Sequence, residues 1–296
     1  MDPARNCALL ILLGTLWACQ NESTDDSGRF RSILENTPGI EGRAEYLNTP
    51  YVTAGDRLYM VGHQDGSFPE LGWHIKGEMG GVWNHPIKLM DGFEASVRLG
   101  DREIPIRDAY LFTNFPMANR HEYRMDSLEL HIERWQFVPD AKQGISVSYV
   151  LQNTGDVEKN IELAFTGHAD LRPTWLGERT QMKDSTDQAS YDPELGAWIV
   201  KDEGNPWYVI FGSEQSPTGQ EPAENLYMGK GASGTLRYHV QLAPGATRTI
   251  HFNIAGSYHS AEEAIDTYLD INDQRGAYLS DKRDRYASLA GLSKLT

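Results

Sequence analysis

Alternating apolar and polar positions dominate this chain and predict β-structure. Residues 145–151 (ISVSYVL) and 160–166 (NIELAFT) are short β-rich runs, and Asn153-Thr154-Gly155-Asp156 between them predicts a hairpin turn. Leu128, Leu130 and Ile132 alternate, but the phase shifts at Trp135 and Phe137, which predicts a bulge. Residues 197–200 and 207–211 form another pair across Gly204-Asn205-Pro206. Residues 235–242 and 248–255 flank Pro244-Gly245, a turn signal. Many short strands at this spacing predict a mostly β, antiparallel sandwich or barrel.

The pattern changes at Ser260. Ser260-Ala261-Glu262-Glu263 is a capping box. Ala261, Ala264, Ile265, Tyr268 and Leu269 follow at helical spacing. A second, more charged segment with Asp281-Lys282-Arg283-Asp284-Arg285 runs on to Leu289. Two expectations stay open here: the helices close the fold, or they lead into a further domain beyond Thr296.

The opening residues read as a processing signal. The apolar run 8–16 is too short to span a bilayer and follows one basic residue, Arg5. It ends in Leu16-Trp17-Ala18-Cys19, which resembles the lipobox of bacterial lipoproteins. That resemblance implies cleavage before Cys19 and attachment of two acyl chains to that cysteine, which hold a soluble domain on a membrane. The alternative is an ordinary secretory signal with an incidental cysteine. Cys7 and Cys19 are the two cysteines, so cleavage there excludes a disulfide framework. The polar stretch 20–28 reads as a tether. The expected layout is a signal over 1–18, a tether over 19–40, a β-domain over 41–258 and a helical linker over 259–296.

Charge narrows the partners. A formal net charge of −15 argues against a general nucleic-acid binder and suits neutral or polar ligands.

Residues 59–93 carry the candidate chemistry. They hold three of the nine histidines, two of the seven tryptophans and seven glycines, interleaved with Asp65, Glu70, Glu78 and Asp91. Aromatic faces, imidazoles and carboxylates on glycine-rich turns are what a polar ligand needs from a loop. Trp73 and Trp83 could stack on a ligand ring or anchor the core. His74 and Glu78 could hydrogen-bond hydroxyls or play a structural role. Glu70, Glu78 and Asp91 contain a carboxylate pair on paper. His63, Asp65, His74, Glu78 and His85 match no metal-ligand spacing, and no metal or cofactor is expected. Gly229-Lys230-Gly231-Ala232-Ser233-Gly234 lacks phosphate-loop spacing and reads as a hairpin loop.

GHQDGSFPELGWHIKGEMGGVWNHPIKLMDGF resembles the amino-terminal β-sandwich of bacterial glycoside hydrolases of the glucosidase and glycogen-debranching type. SVSYVLQNTGDVEKNIELAFTGHADLRPTW looks like that domain's central hairpin and its following Asp-Leu-Arg-Pro turn. LAPGATRTIHFNIAGSYHSAEEAIDTY looks like its last strands and exit helix. The resemblance implies an antiparallel β-supersandwich with a C-terminal helical linker. It also implies an (α/α)6 catalytic barrel in cis, against which the sandwich packs and lines a sugar cleft. The implied partner is an oligosaccharide or α-glucan, and the implied place is the bacterial cell envelope. The acid and base of such enzymes lie in the barrel, so an accessory, non-catalytic domain is expected, with Trp73, His74, Glu78 and Trp83 as its substrate contacts. Two alternatives remain. One is a stand-alone carbohydrate-binding lipoprotein. The other is a mutarotase-like epimerase using His168 with Glu178 or Asp170.

Overall fold

The computed structural model describes residues 27–34, 36–72, 76–174 and 181–293. Two antiparallel sheets face each other, as the alternation requires. One has nine strands in the order β1 (Ile40–Glu41), β7 (Leu111–Asn114), β8 (Asn119–Met125), β9 (Leu130–Phe137), β10 (Gly144–Asn153), β17 (Thr247–Ser257), β14 (Tyr208–Gly212), β13 (Ala197–Asp202) and β12 (Asp187–Asp192). The other runs β15 (Gly219–Ala223), β16 (Ala232–Leu242), β11 (Lys159–Pro173), β5 (Ile87–Leu99), β4 (Gly81–Asn84), β3 (Tyr59–His63) and β2 (Pro50–Ala54). β6 (Arg102–Pro105) pairs with the far half of β5 and makes eight. Val147, Tyr149 and Leu151 of one sheet meet Ile161, Leu163 and Phe165 of the other in the shared core. Phe165 stacks on Phe252 at 4.2 Å between ring centroids, across the two layers. The mostly β, antiparallel sandwich expected from the pattern is the observed architecture.

Two predicted connections differ in kind. β10 and β11 do not pair: β10 lies between β9 and β17, and β11 between β16 and β5. The Asn153–Asp156 turn therefore carries the chain from one sheet to the other. β16 and β17 likewise lie in opposite sheets on either side of Pro244-Gly245. The two crossings are bonded together. Gly245 N–H donates to Asn153 O at 3.1 Å, and Asn153 N–H donates to Ala246 O at 3.0 Å. Turn chemistry specifies a reversal of direction, not the layer into which the chain reverses.

The predicted bulge at Trp135 is absent, since β9 pairs with β8 and β10 in unbroken register. Leu130 and Ile132 face the inter-sheet core, whereas Trp135 and Phe137 point to the other side. That side is also covered. Helix α1 (Ser27–Leu34) packs Phe30, Ile33 and Leu34 onto Trp135 and Phe137. Residues 27–34 of the expected tether are thus a docked helix, because three apolar residues at helical spacing find an apolar sheet face.

The capping box forms as expected: Ser260 Oγ accepts the Glu263 N–H. The two predicted helical segments are one helix, α2 (Ala261–Leu292). Its buried stripe is Ala264, Tyr268, Ile271, Arg275, Leu279 and Lys282, while Leu269 is exposed. Arg275 pairs with Glu214 at 2.6 Å. Lys282 Nζ donates to Val138 O at 2.6 Å and to Ala54 O at 2.8 Å. Cations at core positions hid this stripe from an apolar count. α2 packs on the nine-stranded sheet, against β17, β14 and β10.

Candidate functional site

On β5, β11 and β16, odd and even positions separate cleanly. Phe93, Val97, Leu163, Phe165 and Leu236 point into the core. Glu94, Ser96, Thr166, Thr235 and Arg237 take the other face. There they border an outward-facing cavity of about 220 Å³, with Glu103 and Pro105 of β6 on its rim. Its floor is short: Ser96 lies opposite Ala164, and Thr166 lies between Glu94 and Thr235. Its walls are charged but paired. Glu103 accepts from Ser96 Oγ at 2.6 Å and from Arg98 Nη2 at 2.7 Å. Arg237 bonds Glu162 at 3.1 Å and Glu221 at 2.5 Å.

Glu94 differs from these acids. Its side chain is 59% exposed, and the nearby cation is conditional: His168 Nε2 lies 3.7 Å from Glu94 Oε1. That imidazole holds the Glu94 carboxyl below its ordinary range. His168 is buried, with Nδ1 on Ser233 Oγ at 2.8 Å and the Tyr227 ring edge-on at 5.3 Å. Tyr227 in turn donates its hydroxyl to Phe68 O at 3.0 Å. The segment around Phe68 and the loop carrying Tyr227 therefore meet above His168.

Beyond His168 the β11–β5 register shifts twice, and a polar cluster fills the gap. Lys88 Nζ pairs with Asp91 Oδ1 at 2.5 Å, and Arg172 Nε with Asp170 Oδ2 at 2.9 Å. Both cations also donate to Gly77 O, at 2.9 and 2.8 Å. Burial pushes the Lys88 ammonium pKa down and the Asp170 carboxyl up to about 7, with Asp91 adding to the latter. Asp187 is pushed up to about 8, again chiefly by burial, although the Leu171 N–H opposes the shift. The predicted Asp-Leu-Arg-Pro turn is the irregular end of β11.

The residues singled out from the sequence fare differently. Trp73, His74, Glu178 and Cys19 lie outside the described residues. Glu78 is half-buried in the turn next to Gly77. Trp83 is 3% exposed and serves as an anchor: its indole N–H donates to Gly80 O at 2.9 Å, His85 stacks at 5.7 Å and the Lys88 ammonium lies 5.5 Å from its ring. A buried indole offers no face to a sugar, so its stacking role is corrected to a structural one. Glu70 and Asp91 are engaged by Lys76 and Lys88. His168 meets Glu94 and Ser233, while Asp170 pairs with Arg172. Glu94, Thr166, Thr235 and Arg237 were missed; the available signal was matched charge at outward positions of neighbouring strands, which is readable only once the pairing is known.

Among the described residues, one group has ligand atoms close enough for a metal: Glu122, His131 and Glu133, all within 4.8 Å. Arg120 pairs with Glu122 at 2.8 Å and Trp135 Nε1–H donates to Glu133 at 2.8 Å, so protein donors already serve these carboxylates.

No family model matches the chain, and no curated protein matches it. Solved structures with a similar architecture include a bacterial glucoamylase complexed with acarbose, at TM-score 0.48 and 11% identity, over 86% of this chain and 39% of that one. A kojibiose phosphorylase-type protein from the human microbiome matches at TM-score 0.45 and 10% identity, over 87% and 36%. A galactose mutarotase-like protein from Lactobacillus casei matches at TM-score 0.45 and 8% identity, over 71% and 100%. The chain thus spans well under half the length of the first two. At these scores and identities the likenesses assign no role to any residue here.

Proposed function

We propose that this chain is a carbohydrate-binding β-supersandwich, the accessory domain of a lipid-anchored glycoside hydrolase acting on α-glucans or related oligosaccharides. The observation that carries the binding reading is the groove at Glu94, Thr166, Thr235 and Arg237. Its short floor admits a ring, and its excess of carboxylates (Glu94, Glu103, Glu162 and Glu221) over guanidinium groups (Arg98 and Arg237) disfavours an anion and offers acceptors to a ligand rich in hydroxyls. Carboxylate and guanidinium groups fixed by their partners offer acceptors and donors without reorganisation. The reading includes a catalytic barrel in cis and acylated Cys19 at the bacterial envelope. Those parts are supported by the sequence resemblances alone, and lipid labelling lost in Cys19→Ala tests the anchor.

The test of the groove is titration with maltooligosaccharides. Glu94→Gln and Arg237→Ala should each weaken binding about fivefold, the worth of one hydrogen bond. Unchanged affinity in both variants defeats the assignment.

A mutarotase-like reading is favoured by one observation, the contact between Glu94 and His168, an acid and a base on one sheet face. Polarimetry on freshly dissolved α-D-glucose decides it: equilibration no faster than in buffer removes that reading.

A further inference from the structure

We propose a second saccharide site, separate from the sheet groove, at the end of the sandwich where α2 begins. Four connections converge there on an open cavity of about 470 Å³: Asp56 and Arg57 between β2 and β3, Asn84 and His85 at the end of β4, Ala141 and Gln143 ahead of β10, and Tyr258, His259 and Glu263 at the β17–α2 junction. The volume is in the range of ordinary small-molecule sites.

The walls are fixed before any ligand arrives. Asn84 Nδ2 donates to Gln143 Oε1 at 2.6 Å, and Gln143 Nε2 donates to Glu263 Oε1 at 2.6 Å. Ser257 Oγ donates to Glu263 Oε2, so both oxygens of this carboxylate are bound. Asp56 Oδ1 accepts the Ala141 N–H at 2.6 Å and holds the β2–β3 turn against the strand-10 connection. One continuous hydrogen-bonded line thus joins the two sheets and the first turn of α2 beneath the cavity. Such preorganisation lowers the ordering cost of binding.

The lining also selects a class of ligand. His85 is held in place by Tyr59, whose hydroxyl bonds Nε2 at 2.9 Å, and its ring stacks with Tyr59 at 5.4 Å and with Trp83 at 5.7 Å. Burial lowers the His85 pKa below the ordinary histidine value. Tyr258 and His259 add a second aromatic pair, 4.0 Å between centroids. Flat rings, two amides and an imidazole suit a polyhydroxylated ring, and Asp56 and Glu263 against the single Arg57 leave a lining that disfavours an anion. The ligand class is therefore a mono- or oligosaccharide. This deepens the carbohydrate reading above, and it explains the aromatic enrichment of residues 59–93 in a place other than Trp73 and Trp83.

The experiment is a titration of the 15N-labelled full chain with maltotriose, followed by amide chemical shifts. Arg57 and His259 are exposed, and the Arg57→Ala/His259→Ala double variant leaves the buried hydrogen-bonded line intact. Saturable shifts are expected at His85, Gln143 and His259, with apparent affinity at the first two weakened at least fivefold in the double variant. Shifts at Thr166 and Thr235 should persist there. Absence of saturable shifts at His85 and Gln143, or affinity there unmoved in the double variant, overturns the second site. Shifts confined to Thr166 and Thr235 do the same while sparing the sheet groove. Shifts confined to His85, Gln143 and His259 support this site and defeat the groove.

Discussion

Asp187 accepts the backbone N–H of Leu171 at 2.7 Å through Oδ2, while its buried Oδ1 has no hydrogen-bond partner among the described residues. One oxygen is stabilised and the other is desolvated, and desolvation wins: the pKa rises to about 8. Asp170 rises to about 7 for the same reason. A raised carboxyl pKa means the folded state holds a proton that the unfolded state has released. Stability conferred by these groups is therefore full below about pH 4, the ordinary aspartate range, and declines as pH rises through 7 and 8. The melting temperature should fall from pH 5 to pH 9. Asp187→Asn should flatten that slope and raise the melting temperature at pH 9 by a few degrees. A slope unchanged in the variant refutes the assignment.

Trp83→Ala should cost about 3–5 kcal/mol, the range for an emptied aromatic core site. It removes the wall beside Lys88 as well as the ring. Chemical denaturation measures it. A loss below about 1 kcal/mol would show that the indole is not the anchor its burial implies.

Hydrogen exchange should divide α2 in two. Amides from Ala264 to Lys282 should be protected like the central strands, since that stripe packs on the nine-stranded sheet. Amides past Arg285 should exchange much faster, because Leu289 and Leu292 are exposed. Uniform protection along the helix, or uniform loss, contradicts this packing.

Gly77→Ala should destabilise by about 1–3 kcal/mol. Gly77 has φ +78°, and a Cβ there would lie 2.8 Å from Arg172 Nη2. The displaced carbonyl would then release Lys88 and Arg172 together. Thermal melting of the variant checks this, and a neutral result would show that the turn relaxes freely.

The fold was more legible than the site, and particular residues show why. Period-two burial at Val147, Tyr149, Leu151 and at Ile161, Leu163, Phe165 is written in the sequence, and so is the Ser260 cap. The layer into which each strand turns is not, because a turn at Asn153 looks the same whether it makes a hairpin or a crossing. Trp135 and Phe137 broke the alternation only because a helix covers their side. The aromatic and acidic richness of residues 59–93 pointed to the right region. It could not separate Trp83, sealed beneath Lys88, from His85, which lines a cavity. Glu94 and His168 are 74 positions apart by their numbers (168 − 94), and only strand pairing makes them neighbours.

The paired crossings at Asn153 have a consequence for biosynthesis. β10 is finished early, yet its partner β17 comes last among the strands: Ser148 and His251, bonded side chain to side chain, are separated by 103 residues. β11 waits in the same way for β16. At about 5–20 residues per second, a ribosome leaves these two strand edges open for roughly 5–20 seconds before their partners emerge. β7 to β10 and β2 to β5 are sequential neighbours that can pair early, so the edges left open are those of β10 and β11 that await β17 and β16. The last pairings in each layer are therefore late, and the interval before them is when holding factors and aggregation compete for the open edges.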